Sequence, residues 1–189
     1  MSQSSFFAVA TALLVGAVSL PQPGHAQASR PGEPAAAAMS SAKLSRADKG
    51  ALGDMAQANM AEVAMGQLAL QKTQDAKVKE FAQMMIDDHT AGLKEVQQVA
   101  QAKGVDLPDG PSMAQKAEAK SLNSQSGAQF DHLYIAKAGL EDHRTVLNKL
   151  QKISKDAKDA DVKKVATQMI PVVERHLKHA QGMGKDLTK

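Results

Sequence analysis

The sequence predicts an all-α protein built as an antiparallel bundle of four long helices. Three observations carry that prediction. Alanine, lysine, glutamine and methionine dominate the 189 residues, a helix-forming composition. Apolar residues recur at spacings of three and four along four stretches after residue 45. Capping and breaking residues punctuate the chain where one helix must end and the next begin.

Composition also excludes whole classes of function. With no cysteine, there is no disulfide scaffold, thiolate metal site, lipid-modified N-terminal cysteine or cysteine nucleophile. Aromatic residues are 3% of the chain, too few for a platform that stacks bases or sugars. The balance of 23 basic against 20 acidic side chains is nearly even, and the lysines (Lys137, Lys149, Lys152, Lys155, Lys158) fall at outward positions. Nucleic acid is therefore not an expected partner. No phosphate-binding glycine loop, G-x-S-x-G elbow or H-E-x-x-H motif occurs, so no enzyme activity is expected.

The first segment reads as an address. Residues 1–26 contain no Lys, Arg, Asp or Glu, and Phe6 to Leu20 is an apolar to weakly polar run of 15 residues. A membrane span needs about 20. PQPG breaks the run, and Gly24-His25-Ala26 puts small residues where a signal peptidase reads. Residues 1–26 thus read as a signal peptide cleaved after Ala26, which makes the mature chain exported, periplasmic or envelope-associated. The missing N-terminal positive charge leaves an uncleaved anchor as the alternative, which would be the only membrane contact. Residues 27–44, rich in Pro and Ala, read as a flexible linker ahead of a helical domain at 45–184.

Within that domain the elements follow in order. Ser45-Arg46-Ala47-Asp48 resembles a capping box, and Leu52, Met55, Asn59, Glu62, Gly66, Ala69 and Thr73 mark one face of the first helix. After a break at Gln74-Asp75-Ala76, the stripe Val78, Ala82, Met85, His89, Leu93, Val96 and Ala100 marks the second, which stops at Lys103, Gly104 and Pro108. Pro111 to Leu122 is a short helix in the crossover. The third long helix carries Phe130, Leu133, Ala136, Leu140, His143, Leu147, Leu150 and Ser154. The fourth follows a loop at Asp156-Ala157-Lys158. Its stripe is Val162, Val165, Ala166, Met169, Val172, Val173, His176 and Ala180, with a proline kink expected at Pro171 and an end at Gly182 and Gly184.

The two halves look alike. KVKEFAQMMI (77–86) aligns with DVKKVATQMI (161–170) at five of ten positions, and Leu70-Gln71-Lys72 recurs as Leu150-Gln151-Lys152. A repeated helical hairpin joined by a long crossover is the connectivity of a ferritin-like antiparallel four-helix bundle.

Each long helix places one ligand-capable side chain inside its apolar stripe: Glu62, His89, His143 and His176. Burying such groups is costly unless they are paired or coordinated. At about 1.5 Å per residue, Glu62 and His89 stand within a turn of each other, whereas His176 stands about one turn deeper than His143. The set predicts a core site for one divalent transition metal (zinc, copper or iron), with Asp88, Asp142 and Glu174 as supporting or alternative ligands. Ferritin-type di-iron sites need Glu-x-x-His on two helices. Here Ile86, Leu140 and Val173 precede the histidines by three, so that chemistry is not expected. His132 and His179 read as peripheral.

The alternative reading is a polar network that fixes the register of a structural or stress-related module, which would use an outer helix face to meet an unknown envelope protein. The methionines on helix faces (Met55, Met60, Met65, Met84, Met85, Met169) read as core fillers. Cu(I) coordination by thioethers is their other reading.

The segments AEVAMGQLALQK (61–72), VKEFAQMMIDDHTAGLKEV (78–96), GVDLP (104–108), FDHLYIAKAGLEDH (130–143) and IPVVERHLKHA (170–180) together resemble the exported bacterial family catalogued as domain of unknown function 4142. The resemblance covers about residues 45–183. It implies a ferritin-like four-helix bundle and an envelope location, and no established activity. Gly53 departs from the pattern, which favours a helix former there.

Overall fold

The structure, a computed structural model, describes residues 43–186, which are helical with no strand among them. The segment expected to be a signal peptide, 1–26, and nearly all of the expected linker, 27–44, lie outside the described residues. The caps act where the sequence places them. Ser45 Oγ accepts the N–H of Asp48 at 3.0 Å, and α1 runs Arg46–Lys72. Asp75 accepts the N–H groups of Lys77 and Val78 at 2.8 and 3.0 Å, starting α2, Ala76–Ala102. Gly104, at φ 62°, supplies the left-handed turn that lets the chain leave α2.

The crossover holds α3, Met113–Asn123, started by a reciprocal capping box between Ser112 and Gln115. The third long rod has three parts: α4, Gly127–Tyr134; a π-helical stretch, Ile135–Asp142; and α5, His143–Asp156. Then α6 runs Ala160–Asp186.

Contacts between element ends set the directions. Lys72, ending α1, donates to the carbonyls of Asn123 and Gln125 just ahead of α4. Asp48, at the start of α1, accepts the Lys158 N–H in the α5–α6 turn at 3.1 Å. Lys103, after α2, pairs with Asp159 at 2.8 Å and Asp161 at 2.6 Å at the start of α6. So α1 and α6 run one way, α2 and the third rod the other, and the crossover spans the length of the bundle. This is the predicted helical-bundle class.

The core is split. Towards the α1–α2 turn, Met65, Phe81, Met85, Phe130, Tyr134 and Ile135 anchor one apolar cluster. Towards the α5–α6 turn, Leu52, Met55, Val96, Leu150, Val165 and Val173 anchor another. Between the two clusters lies a buried polar layer of Asn59, Glu62, His89, His143 and His176.

The structure departs from the sequence-based expectations at several positions. Ala136 is exposed, and the core of the third rod uses Tyr134, Ile135, Ala138 and Gly139 instead. The π stretch adds a residue to the turn, so a stripe counted at 3.6 per turn drifts off its face. Leu93, Leu133, Leu140 and Leu147 are half-buried flankers rather than core. Gly182 and Gly184 do not end α6, which runs to Asp186 because Met183, 5% exposed, still packs on the core. Leu44, counted with the linker, is buried against the second cluster. Pro171 stands on an exposed position inside α6, and the helix is continuous through it.

Candidate metal centre

Three of the four stripe residues meet. His89 from α2, His143 from the start of α5 and His176 from α6 are buried, and one ring nitrogen of each lies within 4.8 Å of the others. His143 Nε2 is 3.2 Å from His176 Nδ1 and 3.4 Å from His89 Nε2. The one-turn mismatch expected between His143 and His176 disappears because Cα–Cβ bonds lean towards each helix's N-terminus. On these antiparallel helices the two side chains lean towards each other.

The outer nitrogens define the tautomers. Asn59 Nδ2 donates to the Met55 carbonyl at 2.7 Å, which turns its Oδ1 to His89 Nδ1 at 2.9 Å. Since that oxygen only accepts, His89 carries its proton on Nδ1. His143 Nδ1 lies 2.6 Å from the Ala138 carbonyl, five residues back, which is the π spacing, and so it too is the protonated nitrogen. His176 Nε2 donates to Asp88 Oδ2 at 2.8 Å. Arg175 holds the same oxygen at 2.7 Å. Each ring therefore sends its one proton outward and turns a lone pair inward.

The electrostatics keep it so. Burial, then the neighbouring imidazoles, push His89 well below the ordinary histidine range. Burial, then His176, push His143 down to about 4, against the pull of the Ala138 carbonyl. Burial also lowers His176, outweighing the attraction of Asp88. Asp88 stays below the usual carboxylate range, because bonds from His176 and Arg175 outweigh its own partial burial. At neutral pH the three rings are neutral, and the lone pairs face each other with no proton to share.

This donor set fits a transition metal. Metal–imidazole bonds of about 2.0–2.1 Å in a tetrahedral site put ligand nitrogens about 3.3–3.4 Å apart. The two short separations, 3.2 and 3.4 Å, bracket that edge. Each ring also has the outward acceptor that metal-bound histidines require.

The remaining sequence candidates fall elsewhere. Glu62 is 3% exposed, but its Oε1 lies 3.8 Å from His143 Nδ1, the nitrogen that points away from the centre, so Glu62 is not grouped with the three rings. Burial, then the charges of Asp142 and Glu118, push the Glu62 carboxyl well up. Asp88 supports His176, as expected. Asp142, one residue before His143, is half-buried in a cleft shared with Glu62, and burial with Glu118 and Glu141 pushes it up to about 6. Glu174 is exposed on α6, outside the centre. His132 and His179 are exposed; His179 stands edge-on to Phe81.

Asn59 is a site residue outside the sequence-predicted set. Its signal was there, a polar side chain at a stripe position one turn from Glu62. Ala138 gave no signal at all, since its carbonyl becomes a partner only through the π winding.

No described helix is long and apolar enough to cross a membrane. No curated protein matches the chain significantly. Two solved structures share the fold. One is a DUF305 fragment from Deinococcus radiodurans, at TM-score 0.68 and 14% identity, covering 76% of this chain and 98% of its own. The other is a DUF305 protein from Streptomyces coelicolor, provisionally described as secreted, at TM-score 0.65 and 18% identity, covering 75% of this chain and 92% of its own. Over residues 33–183 the chain matches the model described as Domain of unknown function (DUF4142), more than half its length, and it belongs to that family.

Proposed function

We propose that this chain is an exported envelope protein that captures one divalent transition metal, zinc, copper or iron, in the middle of its helical bundle. His89, His143 and His176 are the ligands, and Asn59, Ala138 and Asp88 orient them. The observation that carries this reading is the convergence of three neutral imidazole lone pairs whose other nitrogens are all engaged. Capture needs little rearrangement, because the helices already hold the rings and the apolar clusters on both sides keep bulk water out. Export is supported by the 1–26 segment, free of Lys, Arg, Asp and Glu, with small residues at 24 and 26, and by the secreted description of one structural relative.

The test is a calorimetric titration of the chelator-stripped protein with Zn²⁺, Cu²⁺ and Fe²⁺, beside His89→Ala and His143→Ala. One ion per chain, bound tightly and lost in both variants, is the expected result. A tetrahedral absorption pattern with Co²⁺ would report the geometry. If no ion binds and the variants are only less stable, the rings are a register-fixing network and the metal reading falls.

A further inference from the structure

The cleft beside Glu62 is built from residues that the three histidines leave unused. It lies between α1 and α5, with α3 laid against α1 as its rim, and its volume is about 360 Å³. Glu62, Gln57, Gln115 and Asp142 stand in its wall.

Glu62 is the informative residue. It is 3% exposed, and Oε2 finds no hydrogen-bond partner among the described residues. Its other oxygen is 3.8 Å from His143 Nδ1, but that nitrogen's proton already goes to Ala138 at 2.6 Å. A carboxylate oxygen this deep is costly unless something positive meets it. Asp142 brings a second carboxylate to the same cleft, and Glu118 on α3 is close enough for its charge to act on both. The nearby lysines are engaged with other acids: Lys149 lies 3.5 Å from Asp54, and Lys137 lies 2.6 Å from Glu141.

Carboxylate, amide and water oxygens are the donor set of hard divalent cations, whereas imidazole suits zinc, copper and iron. We propose that this cleft is a second cation site, in which Glu62 and Asp142 bind a hard divalent ion of the manganese or magnesium class, with Gln57 offering an amide oxygen. The site shares no ligand with the histidine centre and does not rest on that centre binding metal.

The probe is Mn²⁺, followed by the loss of its free-ion electron paramagnetic signal, on the full chain with and without prior Zn²⁺ loading. The expected result is one Mn²⁺ per zinc-loaded chain, weakened tenfold or more by Glu62→Gln and by Asp142→Asn. Broadening of the His143 ring resonances by Mn²⁺ in the unaltered chain gives a readout independent of any variant. Failure to bind Mn²⁺, binding that both carboxylate variants leave intact, or mole-for-mole exchange of Mn²⁺ with Zn²⁺ would each overturn the proposal. If the histidine centre takes no zinc, the zinc-free titration still decides this site alone.

Discussion

The two hairpins share a sequence pattern, yet they contribute to the histidine cluster by different means. The first, α1 with α2, is regular throughout, and its contribution to the cluster is one ring, His89, braced by a side chain, Asn59, from its own partner helix. The second, the π-containing rod with α6, supplies two rings. One is braced by a main-chain carbonyl that the π winding brings within reach, the other by Asp88 from the opposite hairpin. A regular helix pair can place a ligand by periodicity alone. Bringing two rings of one hairpin to 3.2 Å, each with its outer nitrogen satisfied, takes a local departure from the α repeat.

The largest expected effect is a pH dependence of opposite sign at two neighbouring buried residues, His143 and Glu62. In metal-free protein His143 is held down to about 4, from an ordinary histidine value of 6.5. The folded state thus resists a proton that the unfolded chain accepts. This stability is fully present above pH 6.5 and is lost as pH falls through the window from 6.5 to about 4. The loss is about 3 kcal/mol for this residue. Glu62 in the first hairpin has the opposite sign, because its carboxyl is held above 4.5 and its favourable term is lost as pH rises. Urea unfolding with chelator present, between pH 4 and 8, should show an acid limb that flattens in His143→Leu. Glu62→Gln should instead raise stability at pH 8. An unchanged acid limb in His143→Leu would mean that this ring is not the buried neutral base described.

Next in size are the braces. Asn59→Ala and Asp88→Ala should each weaken metal binding by about 10–100-fold, the usual cost of losing a partner behind a metal-bound imidazole. Gly92→Ala probes the Asn59 brace without touching it. A Cβ at Gly92 would lie 2.9 Å from Asn59 Oδ1, so the amide must swing off His89 while the fold absorbs little strain. Competition titrations against a zinc dye would check all three. Equal affinity in Asn59→Ala and the unaltered chain would show that His89 needs no brace.

The difference between the hairpins also explains what could be read in advance. Every stripe residue of α1, from Leu52 to Thr73, is buried as the 3.6 period requires, and the caps at Ser45 and Gly104 act as their residue types dictate. The three histidines were visible because each interrupts an apolar stripe. The π stretch was not, because IAKAGLED carries no residue that forbids an α-helix; in the structure it packs against α6. Ala136 was misplaced for that reason. Periodicity groups Glu62 with the three histidines because it gives depth and face but not which edge of a ring a neighbour meets. Its position behind His143 depends on how the helices sit around the bundle, which a single-helix stripe does not encode.

The smallest expected effect compares two glycines at which paired helices approach closely. A Cβ at Gly139 in the π stretch would sit 2.8 Å from Ala180 Cβ on α6, an atom fixed to its own backbone. A Cβ at Gly66 on α1 would sit 2.8 Å from Ile86 Cγ1, part of a side chain that can rotate, and 3.1 Å from the Ala82 carbonyl. Overpacking typically costs about 1–3 kcal/mol, while replacing a helical glycine with alanine returns about 1 kcal/mol of propensity. Gly139→Ala should therefore lose about 1–2 kcal/mol, because neither atom can move without parting the rod from α6. Gly66→Ala should lose less, because Ile86 can repack. Thermal unfolding of the two metal-free variants gives the comparison directly. A Gly66→Ala loss as large as that of Gly139→Ala would mean that the first hairpin is as tightly closed as the second, and that the close approach at the π stretch is a general feature of the bundle rather than part of how His143 and His176 are brought together.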